Sequence, residues 1–144
     1  MMKTIGQTIA LAGALALSTL GLTAAQAHHS TAGFDTSRVV RIEGTITQFL
    51  WRNPHAALKI DGVTDGDDPD GVWTVEMTAP NVLINQGWKR TSLKPGDQVT
   101  LFVNPFRTRH TLDDGSYGGL YVGVILADGT KLGRTDGQGA GTSD

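Results

Sequence analysis

The chain has 144 residues, a formal net charge of −2 and no cysteine. This length allows one domain with a modest core, and the slightly acidic balance argues against a nucleic-acid partner. The absence of cysteine excludes disulfide cross-links, thiolate metal ligands and thiol nucleophiles. A chain of this kind must fold on its hydrophobic core alone.

Residues 1–27 have the three parts of a secretory signal peptide. Lys3 supplies the positive charge, residues 9–22 form a short apolar segment, and Ala25-Gln26-Ala27 matches a small-x-small cleavage site. We therefore expect a periplasmic or secreted protein whose mature chain begins at His28, with cleavage after Ala25 as the alternative. Glycine, serine and threonine interrupt the apolar segment, so we expect no stable membrane insertion after cleavage.

The first predicted strands follow a polar N-terminal segment at residues 28–38. Residues 39–51 alternate β-branched and polar side chains, which predicts a long half-buried strand with a bend or bulge at Gly44. Asn53-Pro54 ends this strand, because proline lacks the amide hydrogen that ladder pairing needs. Residues 55–61 then predict a second strand that pairs back on the first.

Three further strands and one helix are predicted after an acidic, turn-rich loop at residues 62–71. Residues 79–88 carry a proline near their start and Gly87 near their end, which predicts a short helix. The remaining predicted strands lie at residues 72–78, 98–104 and 120–127, with a short return at 131–132.

These elements predict an all-β fold with one short helix. A small five-stranded barrel of the OB type is the closest match, because that fold also places its helix between strands three and four. An open β-sandwich is the alternative. The predicted barrel domain spans residues 39–132, and residues 133–144 predict a disordered tail because they are small and polar.

Short motifs along the chain also carry a family resemblance. In chain order they are Ala27-His28-His29-Ser30, Phe34-Asp35, Gly44, Trp51-Arg52-Asn53-Pro54-His55, Trp73, Glu76, Pro80-Asn81, Gly87-Trp88 and Leu93-Lys94-Pro95-Gly96-Asp97. In this order the motifs resemble a family of small exported bacterial proteins, domain of unknown function 6152. The loop at residues 105–118 is longer and more basic than the family's pattern. The resemblance implies export and implies no reaction, because the family has no established activity.

The histidines suggest a metal site. Cleavage after Ala27 leaves His28 with a free α-amine and an imidazole, and these two nitrogens can chelate one ion. His55, directly after the Asn-Pro turn, is the best candidate for a second imidazole, and His29 competes with it. Three nitrogen ligands favour copper(II) first and zinc second. Cleavage after Ala25 would place His28 third, which also makes a copper-binding terminus. The alternative interpretation is a polar terminus and an ordinary histidine at the start of a strand.

The tryptophans and one acid complete the candidate site. Trp73 shares a strand face with Val75 and Met77, so we expect that face to be buried. Trp51 and Asn53 are expected to border a pocket that contains His55. Trp88 is expected to pack the helix end against the barrel, with a ligand-stacking role as the alternative. Glu76 lies on the opposite strand face from Trp73, where it pairs with a neighbouring Arg52 or His55 or is simply exposed. The alternative is that it orients a metal-bound histidine.

Two charged loops are interpreted as structural. The acidic loop crowds Asp65, Asp67, Asp68 and Asp70, but Pro69 stands where a calcium loop needs an oxygen ligand. Arg107, Arg109 and His110 form a small basic cluster that is more typical of an exposed loop than of an anion site.

Three functions follow from these candidates. The leading hypothesis is a non-enzymatic exported protein that binds copper, or alternatively zinc, through His28 and His55. The second is a module that binds a small molecule or a protein on an aromatic barrel face that includes Trp51 and Trp88. The third, a small enzyme that uses Glu76 and His55, ranks last because no nucleophile or cofactor motif accompanies them.

Overall fold

A computed structural model describes residues 31–139 of the chain. The predicted signal peptide, His28, His29 and the last five residues of the predicted tail lie outside the described residues. Within the described part, no helix has the length and apolar character that crossing a membrane requires.

Within residues 31–139, six strands and one α-helix follow a 3-10 turn at Thr31–Gly33. The strands β1 to β6 are Val40–Leu50, Ala57–Thr64, Gly71–Glu76, Gln98–Pro105, Tyr117–Ile125 and Lys131–Gly133. The helix α1, Pro80–Asn85, lies between β3 and β4. Every predicted element is present. The largest shifts of boundary are three residues: β2 ends later than predicted, α1 ends earlier and β5 begins earlier.

The first five strands close into a barrel. β1 pairs antiparallel with both β2 and β4, β2 pairs with β3, and β4 pairs with β5. A parallel pairing of β3 with β5, from Trp73 opposite Tyr117 to Glu76 opposite Leu120, completes the ring. β6 pairs only with the C-terminal part of β5 and extends the sheet outside the ring. The predicted OB-like barrel is therefore confirmed over the open sandwich.

The core follows the period of two that the sequence predicts for its strands. The buried side chains of the first and third strands are Val40, Ile42 and Ile46 on β1, and Trp73 and Val75 on β3, with Met77 directly after it. The expectation that Trp73, Val75 and Met77 share a buried face is thus confirmed. Pro80 and Leu83 of α1 are also buried, and Leu83 belongs to the same core.

The irregularity of β1 lies at Thr47 and not at the predicted position, Gly44. The register between β1 and β2 shifts by one residue after Ile46, which leaves Thr47 without a partner. Gly44 instead lies opposite Gly62, where a Cβ atom would come within 2.2 Å of the Asp61 carbonyl oxygen. Glycine at this position therefore permits a close approach of two strands, which is the other common reason for glycine in a strand.

Residues 31–38 are fixed along the loop between β4 and β5. Phe34 forms an isolated β-bridge with Phe106, and the Arg107 amide donates a 3.0 Å hydrogen bond to the Gly33 carbonyl. The Phe34 side chain is only 8% exposed. Residues 31–38, although polar overall, therefore have a defined place beside the barrel.

The start of the predicted disordered tail is an ordered part of the sheet. Gly133 is the last residue of β6, and the Arg134 amide donates a 2.9 Å hydrogen bond to the Val122 carbonyl. A Cβ atom at Gly123 would lie 2.0 Å from the Arg134 carbonyl oxygen, so this glycine allows the chain to cross directly over β5. Composition alone does not show such a contact, because it depends on the neighbouring strand.

Candidate functional site

A cleft of about 460 Å³ lies on the outer face of the barrel, between the β1–β2 connection and the β4–β5 loop. OB folds bind their ligands on this face and with these two loops, and the volume is within the usual range for small-molecule sites. Its lining residues are Phe34, Arg52, Asn53, Pro54, His55, Ala56, Ala57, Thr74, Glu76, Phe106, Leu112, Gly118 and Gly119. Most of these side chains are apolar, and the charged ones are Arg52 and Glu76.

The β1–β2 connection places His55 in the cleft. Ala56 is buried, and its backbone donates to the Thr78 carbonyl at 3.1 Å and accepts from the Met77 amide at 2.9 Å. These two hydrogen bonds attach the connection to the end of β3. The preceding Asn53-Pro54 peptide bond is cis, and both residues are exposed. The half-buried His55 therefore lies between an exposed turn and a fixed backbone.

Glu76 lies beside this connection. It is the last residue of β3 and pairs in register with Ala57, two residues after His55. Glu76 and His55 line the same cleft, together with Asn53. The structure thus brings together three of the residues that the sequence analysis selected, and it gives the cleft one imidazole and one carboxylate.

The two selected tryptophans lie elsewhere. Trp88 is 1% exposed and packs in the core against Phe49 and Tyr121, with ring centroids 5.9 and 5.4 Å apart. Its expected packing role is confirmed, and it offers no surface to a ligand. Trp51 is half-buried, contacts the edge of Phe49 at 5.8 Å and is not among the residues that line the cleft.

The Trp88 indole also packs against Tyr121, whose hydroxyl has a raised pKa. The Tyr121 hydroxyl donates a 2.8 Å hydrogen bond to the Leu132 carbonyl of β6. Burial is the main cause that raises the pKa of this phenol. Tyr121 therefore attaches β6 to the barrel, and it is not among the residues that line the cleft.

Two phenylalanines form the aromatic wall of the cleft. Phe34 and Phe106 are stacked, with ring centroids 5.0 Å apart and planes inclined by 20°, and the His110 ring also stacks on Phe106, at 4.4 Å. Phe106 lies directly over Gly118, where a Cβ atom would be 1.9 Å from its Cε2 atom. Sequence reasoning missed this wall. The available signal was the pair Gly118-Gly119, because glycines in a strand often mark a close approach by another group.

The acidic and basic loops bind each other beside this wall. Arg38 forms a 2.6 Å ion pair with Asp68, which raises the pKa of the Arg38 guanidinium. Arg109 donates a 2.9 Å hydrogen bond to the Asp67 carbonyl and lies 3.7 Å from the Asp68 carboxylate. The two arginines therefore hold the acidic loop against residues 107–110, and Asp68 serves as an ion-pair partner.

The other end of the β4–β5 loop is attached to β2 and β3. Lys59 forms a 2.5 Å ion pair with Asp114, and Ser116 donates to the same carboxylate through its amide and its hydroxyl. The hydrogen bond from Lys59, followed by those from Ser116, lowers the pKa of Asp114. The Ser116 hydroxyl also lies 2.7 Å from that of Thr74. Both ends of the loop that carries Phe106 and Leu112 are thus fixed.

The described residues do not by themselves form a metal site. Among residues 31–139, no group of three or more histidine, aspartate or glutamate side chains is placed to hold an ion. His55 and Glu76 supply two suitable donors in the cleft, whereas His28 and His29 lie outside the described residues. A metal site at His55 therefore requires further ligands from outside residues 31–139 or from the solvent.

Comparisons with known proteins identify a family and no function. Neither the curated proteins nor the solved structures contain a match to this chain. A model described as a family of unknown function, DUF6152, matches residues 16–115. The match covers more than half of the chain, from before the barrel almost to the end of the β4–β5 loop, and includes the β1–β2 connection. The chain therefore belongs to this family of unknown function, DUF6152.

Proposed function

We propose that the chain is an exported, non-enzymatic binding protein that holds a copper(II) ion at the His55 end of the cleft. His28 and His55 are its main ligands, with Glu76 beside them, His29 as a competing ligand and zinc as the alternative metal. The observation that carries this proposal is the position of Phe34. Phe34 lines the same cleft as His55, so the N-terminal segment enters the described structure at the site itself.

The length of the segment is compatible with a ligand from the N terminus. His28 precedes Phe34 by six residues in the sequence. Thr31–Gly33 forms a 3-10 turn, so an extended chain of about 3.3–3.6 Å per residue gives the three preceding residues a reach of roughly 10 Å. This reach is longer than a cleft of about 460 Å³ is wide. The α-amine and imidazole of a mature His28 are therefore within range of His55.

The donors suit copper chemically. Cleavage after Ala27 would give His28 two nitrogen donors, to which His55 adds an imidazole and Glu76 a carboxylate. A mixed nitrogen and oxygen set with no thiolate is typical of copper(II), and a set with an open position is typical of zinc. Neutral imidazole is the form that binds metal, so we expect affinity to fall as the pH drops through the titration range of histidine.

A binding role is favoured over catalysis by the hydroxyl groups of the cleft. Within the described residues, Thr74 supplies the only hydroxyl side chain of the cleft lining. Its oxygen lies 2.7 Å from the Ser116 hydroxyl, which also donates a hydrogen bond to the Asp114 carboxylate. Because a nucleophilic hydroxyl needs an adjacent general base, this arrangement gives Thr74 a structural role.

The first experiment measures the exported protein as the cell produces it. The chain is expressed with its own leader, purified without chelator and weighed intact by mass spectrometry. We expect a mass that begins at His28 and one retained metal ion per chain. A mass that begins at Gln26 would give a different ligand set, with His28 as the third residue. A cytoplasmic chain that retains residues 1–27 would contradict the proposed export.

The second experiment titrates the metal-free mature protein with copper(II) and follows the d–d absorption. We expect one ion per chain, bound more tightly than by free histidine, and a loss of about tenfold or more in affinity for His55→Ala. Two residues added before His28 should have a similar effect, because they remove the α-amine. His110→Ala is the matched control, since His110 is exposed and outside the cleft lining. Equal affinities for His55→Ala and His110→Ala would disprove the metal site.

A further inference from the structure

We infer that the apolar part of the cleft binds an organic monocarboxylate with a flat apolar body, whose carboxylate is held by Arg52 and whose body packs on the wall formed by Phe34 and Phe106. This inference shares the cleft of the proposed function and does not depend on copper. It replaces the predicted surface of Trp51 and Trp88 with the phenylalanine wall that the structure shows.

The size and surface of the cleft support an organic ligand. A volume of about 460 Å³ is far larger than a metal ion with its ligands requires and is typical of sites for small organic molecules. Phe34, Phe106 and Leu112 supply apolar side chains to the lining. Gly118 and Gly119 add no side chain to it, and the Phe106 ring packs over Gly118. Burial of a flat apolar body on this wall is favourable because it removes apolar surface from water.

The charge of the ligand follows from Arg52. Its side chain lines the cleft, and it has no ion pair or hydrogen bond with another side chain of residues 31–139. Arg38 and Arg109, by contrast, are both engaged with the acidic loop. A guanidinium presents a planar set of donors that matches a carboxylate in a two-bond arrangement. Arg52 at the rim of an apolar cleft is therefore suited to an organic anion.

The number of carboxylates follows from Arg52 as well. Among the described residues that line the cleft, Arg52 is the only arginine or lysine. A second carboxylate on the ligand, placed away from Arg52, would lie against the phenylalanine wall without a partner. A single carboxylate at one end of an apolar body avoids this cost.

The test uses two probes of the same shape and different charge. The mature protein, freed of metal on a chelating resin, is titrated with 2-naphthoate and with the neutral 2-naphthamide, and binding is followed by calorimetry and by NMR shifts. We expect the wild type to bind naphthoate about tenfold or more tightly than naphthamide, because a charge-assisted pair is stronger than a neutral hydrogen bond. Arg52→Gln should remove the difference by weakening naphthoate alone. Equal affinities in the wild type, or no binding of either probe, would overturn the inference.

Two further variants separate this site from the surface and from the metal. Arg90→Gln is the matched control, because Arg90 is exposed and outside the cleft lining, and it should leave both affinities unchanged. Phe106→Ala should weaken both probes alike, since it removes the wall and not the charge. Because the probe titrations use metal-free protein, their result is independent of the copper titration. A preference for naphthoate that persists in Arg52→Gln would overturn the assignment to Arg52, whatever the copper titration shows.

Discussion

Replacement of Gly118 by alanine tests whether the aromatic wall needs a residue without a side chain beneath the Phe106 ring. Gly118 has no positive φ, so its backbone accepts alanine, and the obstacle is contact alone. The new Cβ would lie 1.9, 2.4 and 2.6 Å from the Cε2, Cζ and Cδ2 atoms of Phe106. Because carbon atoms pack at about 3.5 Å or more, the ring must move away by at least about 1.5 Å. A displacement of this size disturbs its stack on Phe34.

The expected cost can be assembled from three contributions. Overpacking of this kind costs about 1–3 kcal/mol, and a lost aromatic stack costs about 0.5–1.5 kcal/mol. Alanine offsets about 0.5–1 kcal/mol because it lowers the entropy of the unfolded chain. We expect Gly118→Ala to reduce the free energy of unfolding by about 2 kcal/mol. In a Phe106→Ala background the ring is absent, and the same change should be neutral or stabilise by about 0.5 kcal/mol.

Urea unfolding of the wild type, both single variants and the double variant measures this coupling, provided that the m-values agree. Gly33→Ala is the control, because nothing lies within 4 Å of a Cβ at that position. The reasoning fails if Gly118→Ala costs the same with and without the Phe106 ring, since the ring would then not be the obstacle.

The remaining predictions concern the close approach of β1 and β2 at Gly44 and two titrating groups. Gly44→Ala places its Cβ 2.2 Å from a backbone oxygen that cannot rotate away, so we expect a loss of about 3 kcal/mol or more in urea unfolding, against less than about 0.5 kcal/mol for Gly33→Ala. Tyr121→Phe should cost about 1 kcal/mol at pH 7, because it removes a hydrogen bond to β6. Burial raises the pKa of Tyr121 in the folded state, so its contribution is present below the unfolded pKa of 10.0 and is lost as the pH rises above it. Unfolding midpoints between pH 9 and pH 11 should therefore fall more steeply for the wild type than for Tyr121→Phe, and parallel curves would contradict this. The hydrogen bond from Lys59 lowers the pKa of Asp114, so its contribution is present above the unfolded pKa of 3.8 and is lost as the pH falls below it. Asp114→Asn should flatten the loss of stability between pH 5 and pH 2, and an unchanged acid profile would count against the ion pair.

Much of the fold was predictable because strand patterns are local. The alternation in β1 and β3 gives the buried face of each strand directly, and Asn53-Pro54 marks the first turn through the chemistry of proline. The position of the helix between β3 and β4 then selects the OB-type barrel. Gly44 shows the limit of this reasoning. Glycine in a strand is compatible with a bulge or with a close approach, and only the position of Gly62 on the neighbouring strand decides between them.

The candidate site was predictable in part for the same reason. Asn53 and His55 lie within one turn, and Glu76 was placed by the alternation of β3, so their meeting required only that β2 pair with β3. Trp51 and Trp88 were selected by residue type. Residue type does not tell whether an indole packs inward or lies in a cleft, and the core position of Trp88 depends on contacts with Phe49 and Tyr121 that are distant in the chain.

The sequence by itself determined the order of the strands and the helix, their buried faces and the histidine at the first turn, because each depends on neighbouring residues and a fixed backbone period. Only the tertiary structure decided how the barrel closes and what lines its cleft. The parallel pairing of β3 with β5 and the stacking of Phe34 on Phe106 join segments far apart in the chain. Such contacts leave no periodic signal in the sequence, since they arise from the packing of the closed barrel as a whole.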